Sequence, residues 1–129
     1  MKLNPDLVRD ILLAVEEECD FHHEFYYDIE EPVPDILKPY SHEEIVYHIR
    51  QCEYAGLILG VRYPDAGDMI YIDDLSPEGH EFLANVREDK IWNGTKAVAK
   101  ETGGRSLTAL TQIASNIVTA LIKAHFNLP

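Results

Sequence analysis

The segment that most restricts the fold is LILGVRYPDAGDMIYIDDLSPEGHEFL, Leu57 to Leu83. Two runs rich in β-branched and aromatic residues, Leu57 to Tyr63 and Met69 to Leu75, flank Pro-Asp-Ala-Gly-Asp, a cluster that turns a chain and stops a strand. They predict a hairpin. The second run then meets Ser76, whose hydroxyl suits a helix N-cap, and Pro77, whose missing N–H costs nothing at the first helical position. Gly79 gives that helix a side without Cβ, so a neighbouring element can approach closely. Phe82, Leu83 and Val86 supply its buried stripe.

Upstream, Asn4-Pro5-Asp6 opens a helix in the same manner, and Val8, Ile11, Leu12, Val15 and Cys19 recur at helical spacing, which predicts a helix from Pro5 to Glu18. In FHHEFYYDIEEPVPDILKPY the aromatic residues predict a short strand near Phe25 to Ile29, and three prolines bar a helix after it. Ser41 with Glu44 three places on forms a capping box. Ile45, Ile49, Cys52 and Ala55 mark the inner face of the helix it opens, Gly56 its end, and His48 falls on the outer face. Helix, strand, helix, hairpin, helix is the order of a winged helix. The sequence thus predicts an α+β fold: a winged helix-turn-helix-like domain over residues 1–89, then a basic linker and C-terminal amphipathic helix over 90–129.

YHIRQCEYAGLI, LSPEGHEFL and REDKIWNGTK together resemble the recurring segments of an uncharacterised bacterial and phage domain-of-unknown-function family. The resemblance covers most of residues 3–100. It implies a winged-helix-like fold and a prophage setting, and brings no established activity or catalytic residue with it. Gly94 in WNGTK stands where a larger residue is expected, and marks a break in the pattern.

Charge bears on function. The chain carries a net −12, unevenly: residues 1–89 hold 22 acidic and 6 basic side chains, whereas 90–129 hold 1 and 5. A winged helix that reads DNA sets one helix in the major groove and its hairpin near a phosphate strand. The outward positions available for that work are His42, Tyr47, Arg50, Gln51 and Tyr54 on the Ser41 helix, and Arg62 on the wing. Glu43, Glu44 and Glu53 outnumber Arg50, and Arg62 stands among Asp65, Asp68, Asp73 and Asp74. Phosphate contact needs cations, so the charge disfavours nucleic acid and favours a protein partner, with a DNA-binding transcriptional regulator as the alternative.

Chemistry finds little footing. CDFHHE gathers Cys19, His22, His23 and Glu24 near Glu16 and Asp20, but Cys-x-x-His lacks the second pair that a structural zinc site needs, so no metal is expected. No nucleophile elbow, phosphate-binding loop or nucleophile–base pair occurs, and the expectation is a non-enzyme without a cofactor. Cys19 and Cys52 are expected as free thiols in a cytoplasmic protein. Neither a signal peptide nor a membrane-spanning helix is expected, for want of a continuous apolar run of sufficient length.

The last helix, from Ser106, carries a heptad seam that includes Leu107, Leu110, Ala114, Ile117 and Leu121, broadened by Ile113. Its other side is polar but uncharged, with Lys123 the one certain charge. Two burial surfaces on one helix predict a homodimer interface through those six residues.

Overall fold

A computed structural model describes residues 1–129 as five α-helices and four short strands, mixed α+β, divided between two units, Met1–His80 and Glu81–Pro129. In the first unit α1 (Pro5–Glu18) starts where its cap chemistry says it should: the Asn4 side chain accepts the Asp6 amide, and Pro5 takes the first turn. Leu7, Val8, Ile11, Leu12 and Val15 are buried along one side. α2 (His42–Tyr54) opens on a complete capping box, in which Ser41 Oγ accepts the Glu44 amide at 3.2 Å while Glu44 Oε1 accepts the Ser41 amide at 3.1 Å. α1 packs against α2.

Strand β1 (Phe25–Asp28) pairs antiparallel with β3 (Met69–Ile72), Phe25 opposite Ile72 and Tyr27 opposite Ile70. All four of those side chains are buried, so Tyr26, Asp28, Met69 and Tyr71 share the outer face. The expected hairpin is present: β2 (Ile58–Leu59) pairs with β4 (Asp74–Leu75), and a further bridge joins Arg62 to Tyr71 with backbone bonds of 2.9 and 3.0 Å. Its tip puts Asp65 and Ala66 at φ 52° and 57°, in the left-handed region.

The junction into α3 (Pro77–Val86) follows from the Ser-Pro-x-Gly pattern. Ser76 Oγ accepts the Gly79 amide at 2.9 Å and donates to Gly56 O, which ties the helix start to the end of α2. A Cβ on Gly79 would lie 2.0 Å from Leu57 O, closer than any real contact. The bare side of that helix turn is therefore filled by the backbone entering β2.

Two expectations for α2 fail. Ala55 is exposed, because α2 gives way to a turn there. His48 is not on the surface but only 1% exposed: its Nδ1–H donates to Glu44 O at 2.7 Å and its Nε2 accepts the Asn4 amide at 2.8 Å. Helical position alone placed it outside; a long-range amide partner makes it a core residue.

In the second unit, α4 (Asp89–Thr102) occupies most of what the sequence presents as a linker. It passes through Gly94 without interruption, since tertiary packing outweighs one poor helix former. Gly103 ends it in the left-handed conformation, and Ser106 caps α5 (Leu107–His125) by accepting the Ala109 amide. Gly94 lies beside Ile117, and Gly104 beside Ala109 and Ile113, so the two helices run antiparallel. With 14 residues against 19, α4 ends before α5 does. α5 is also long and apolar enough to cross a membrane by length and composition alone, because its Leu, Ile, Val and Ala outweigh its uncharged polar residues and Lys123 is its one Lys, Arg, Asp or Glu. Leu107, Leu110 and Ala114 are nonetheless buried, and Gln112 and Asn116 bond to each other across one helix turn.

Candidate interaction surface

The six residues proposed to face DNA do not form a cationic strip. His42 lies stacked on Tyr27, with Nδ1 2.6 Å from the tyrosine hydroxyl and Nε2 3.5 Å from Asp68. Tyr47 packs edge-on to the His48 ring, and Gln51 is half-buried. The Arg50 guanidinium sits 4.7 Å from the centre of the Tyr63 ring, whose hydroxyl donates to Glu53. That hydroxyl is pushed well above the ordinary tyrosine range, by burial first and by the Glu53 bond second. Tyr54, at the end of α2, is 72% exposed.

Arg62 is the most committed of the six. Its Nη1 donates to Gly60 O at 2.9 Å and to Asp73 Oδ1 at 3.0 Å, Nη2 reaches Glu24, and its Cζ lies 5.4 Å from the Tyr71 ring centre. Two carboxylates hold the wing's one cation in place, so it presents little positive field outward.

Sequence reasoning missed the surface that Arg62 belongs to. Tyr26 and Tyr71 face each other across the β1–β3 ladder with ring centres 4.9 Å apart. Tyr26 donates to Asp28 at 2.8 Å and lies beside Met69 Sδ. The Asp28 bond, with burial second, pushes the Tyr26 hydroxyl up to about 12. The alternation in FYYD and MIYI signals one aromatic per strand on the outer face; the register that brings them together does not appear in either run.

The CDFHHE segment is a turn rather than a ligand cluster. Asp20 Oδ1 accepts the His22 and His23 amides and lies 2.8 Å from His23 Nδ1, and these contacts hold its carboxyl below the usual range, the His22 amide most of all. Cys19 points to Ile72 O, and burial pushes its thiol up to about 11. No group of three or more His, Cys, Asp or Glu side chains converges around a common point.

On α5 the six interface residues divide. Leu107, Leu110 and Ala114 are buried within the chain and so are not available to a second copy, Ile113 and Ile117 are half-buried, and Leu121 is 51% exposed. The first half of the seam serves intramolecular packing, because α4 covers it. Beyond Ile117 the apolar side chains of Leu121, Ile122, Phe126 and Leu128 remain exposed.

Residues 2–105 match the family model described as a hypothetical protein family, DUF2513. The chain belongs to the DUF2513 family. A Haemophilus influenzae protein described as uncharacterized is 32% identical to it over 124 residues, covering 95% of this chain and 99% of that protein. No solved structure matches the chain. Within this DUF2513 chain the family region takes in both tyrosine-bearing strands and α4, and stops one residue before the Ser106 cap of α5.

Proposed function

We propose that this DUF2513 chain is a non-catalytic regulatory or interaction protein of winged-helix type, working in the cytoplasm of a cell or prophage host by binding a protein. Support for the fold type is the order α1, β1, α2, hairpin, α3, with a capped α2 where a recognition helix would stand. The observation that carries the choice of partner is Arg62 locked between Glu24 and Asp73. A wing that contacts phosphate needs its cation free. Here the cation is neutralised, in a segment of residues 1–89 whose 22 acidic side chains face 6 basic ones.

The same reading takes the exposed end of α5 as the place where a second copy pairs. The seam continues past the reach of α4, and Lys123 is the one certain charge on the helix, so two such ends meet with little repulsion. A DNA-binding regulator remains the alternative, favoured by the exposure of Tyr54 at the end of α2, and would read bases through Arg50, Gln51 and Tyr54.

A mobility shift with duplex DNA over a salt series separates the two. We expect no retardation at about 0.15 M salt, where charge repulsion still acts over roughly 8 Å. Tight duplex binding that weakens steeply with salt and disappears in Arg50→Ala would overturn the protein-binding role.

A further inference from the structure

The outer face of the β1–β3 ladder has the chemistry of a seat for cations. Tyr71 already receives one: the Arg62 guanidinium lies over its ring, and Asp73 and Glu24 hold it there through hydrogen bonds. The other half of the face repeats two of those three parts. Tyr26 presents a half-exposed ring directly opposite Tyr71, and Asp28, on the same face, lies within hydrogen-bond distance of its hydroxyl. No cation completes it. From Asp10 to Leu37, and again from Tyr63 to Val86, the chain contains no Lys or Arg, whereas those two spans carry ten and six acidic residues. Met69 opposite Asp28 adds a flexible apolar contact of the kind enriched at protein interfaces.

We propose that this face docks a cationic segment of a protein partner, one of whose arginines lies over Tyr26 against Asp28 as Arg62 lies over Tyr71 against Asp73. Arginine fits better than lysine, since its planar guanidinium stacks on a ring while its N–H fork meets a carboxylate in the same plane. The acidic surroundings exclude a phosphate-bearing ligand from the same seat and steer a basic one toward it. The proposal rests on the protein-binding role above and adds to it the partner's charge and the surface it uses.

The test is fluorescence anisotropy of a labelled arginine-rich peptide titrated with the full chain, beside a peptide in which glutamine replaces every arginine. The arginine peptide should bind and the glutamine peptide should not. Tyr26→Leu combined with Asp28→Asn should weaken binding by about tenfold or more, the size expected for one stacked, charge-paired side chain. Tyr26→Phe, which keeps the ring and loses the hydroxyl, should retain most of the affinity. Glu17→Gln with Glu78→Gln, two exposed acidic positions on α1 and α3 rather than on the β1–β3 ladder, serves as a control that removes one charge more and should bind nearly as the parent does. Circular dichroism confirms that each variant keeps its helix content. Equal weakening in the face and control variants would mean that net charge alone attracts the peptide, and would overturn the surface while leaving a protein-binding role in place. Absence of arginine-peptide binding would overturn the partner chemistry, and only duplex binding in the mobility shift would remove the role itself.

Discussion

Gly79 and Gly94 both sit in helices, yet replacing each with alanine should move stability in opposite directions. At Gly79 the new Cβ would meet Leu57 O at 2.0 Å and Leu57 C at 3.0 Å. An ordinary carbon–oxygen contact lies near 3.3 to 3.6 Å, so the two backbones must part by roughly 1.3 Å or more. Such overpacking costs about 1–3 kcal/mol. Leu57 O also accepts the Ser76 amide at 3.0 Å. Losing that bond adds about 1 kcal/mol. Alanine's better helix propensity returns up to about 1 kcal/mol. The clash wins, and the net loss should be about 2 kcal/mol. At Gly94 the nearest atom is Ile117 Cδ1 at 3.9 Å, an ordinary contact, so propensity acts unopposed. Gly94→Ala should gain up to about 1 kcal/mol. Urea denaturation, followed by far-ultraviolet circular dichroism and by the fluorescence of Trp92, measures both shifts at constant m. A Gly79→Ala midpoint equal to or above the parent's would refute the account of close backbone approach.

Three further outcomes are expected. His48→Leu fills the core position with an apolar side chain but leaves the Asn4 amide without its acceptor, so it should cost about 1–3 kcal/mol in the same urea assay; an unchanged midpoint would show that the bond contributes nothing. Burial pushes the Cys52 thiol up to about 12 from an ordinary value near 9. The unfolded chain therefore releases this proton first, and stability is intact below pH 9 and falls between about pH 9 and 12, by up to about 1.4 kcal/mol per pH unit. Cys52→Ala should flatten that decline when urea midpoints are compared across the alkaline range, and parallel curves would contradict it. Sedimentation equilibrium should give twice the 14.7 kDa chain mass for the parent and a single chain mass for Leu121→Glu with Ile122→Glu; a monomeric parent would end the pairing through α5.

The elements that could be read from the sequence are those specified by a few adjacent residues. Asn4-Pro5, Ser41 with Glu44, and Ser76-Pro77 each place a helix start correctly, because a cap involves a side chain and an amide two or three positions away. The hairpin around Pro64–Gly67 follows from turn residues in the same way. α4 is not legible in the same way, because Gly94 and a basic composition read as a linker, and the structure shows that one glycine does not stop a packed helix. The candidate site was half legible. Arg50, Gln51, Tyr54 and Arg62 could be named, but the Tyr63 ring under Arg50 and the carboxylates around Arg62 could not.

By itself the amino-acid sequence determined where most helices and turns begin, the uneven distribution of charge and the apolar seam of the last helix. Only the tertiary structure decided that His48 lies inside, that Arg62 is engaged by Glu24 and that Tyr26 meets Tyr71. Those contacts join residues 44, 38 and 45 positions apart. Local propensities act within a turn or two of the chain, whereas register and burial are settled by which distant surfaces exclude water together.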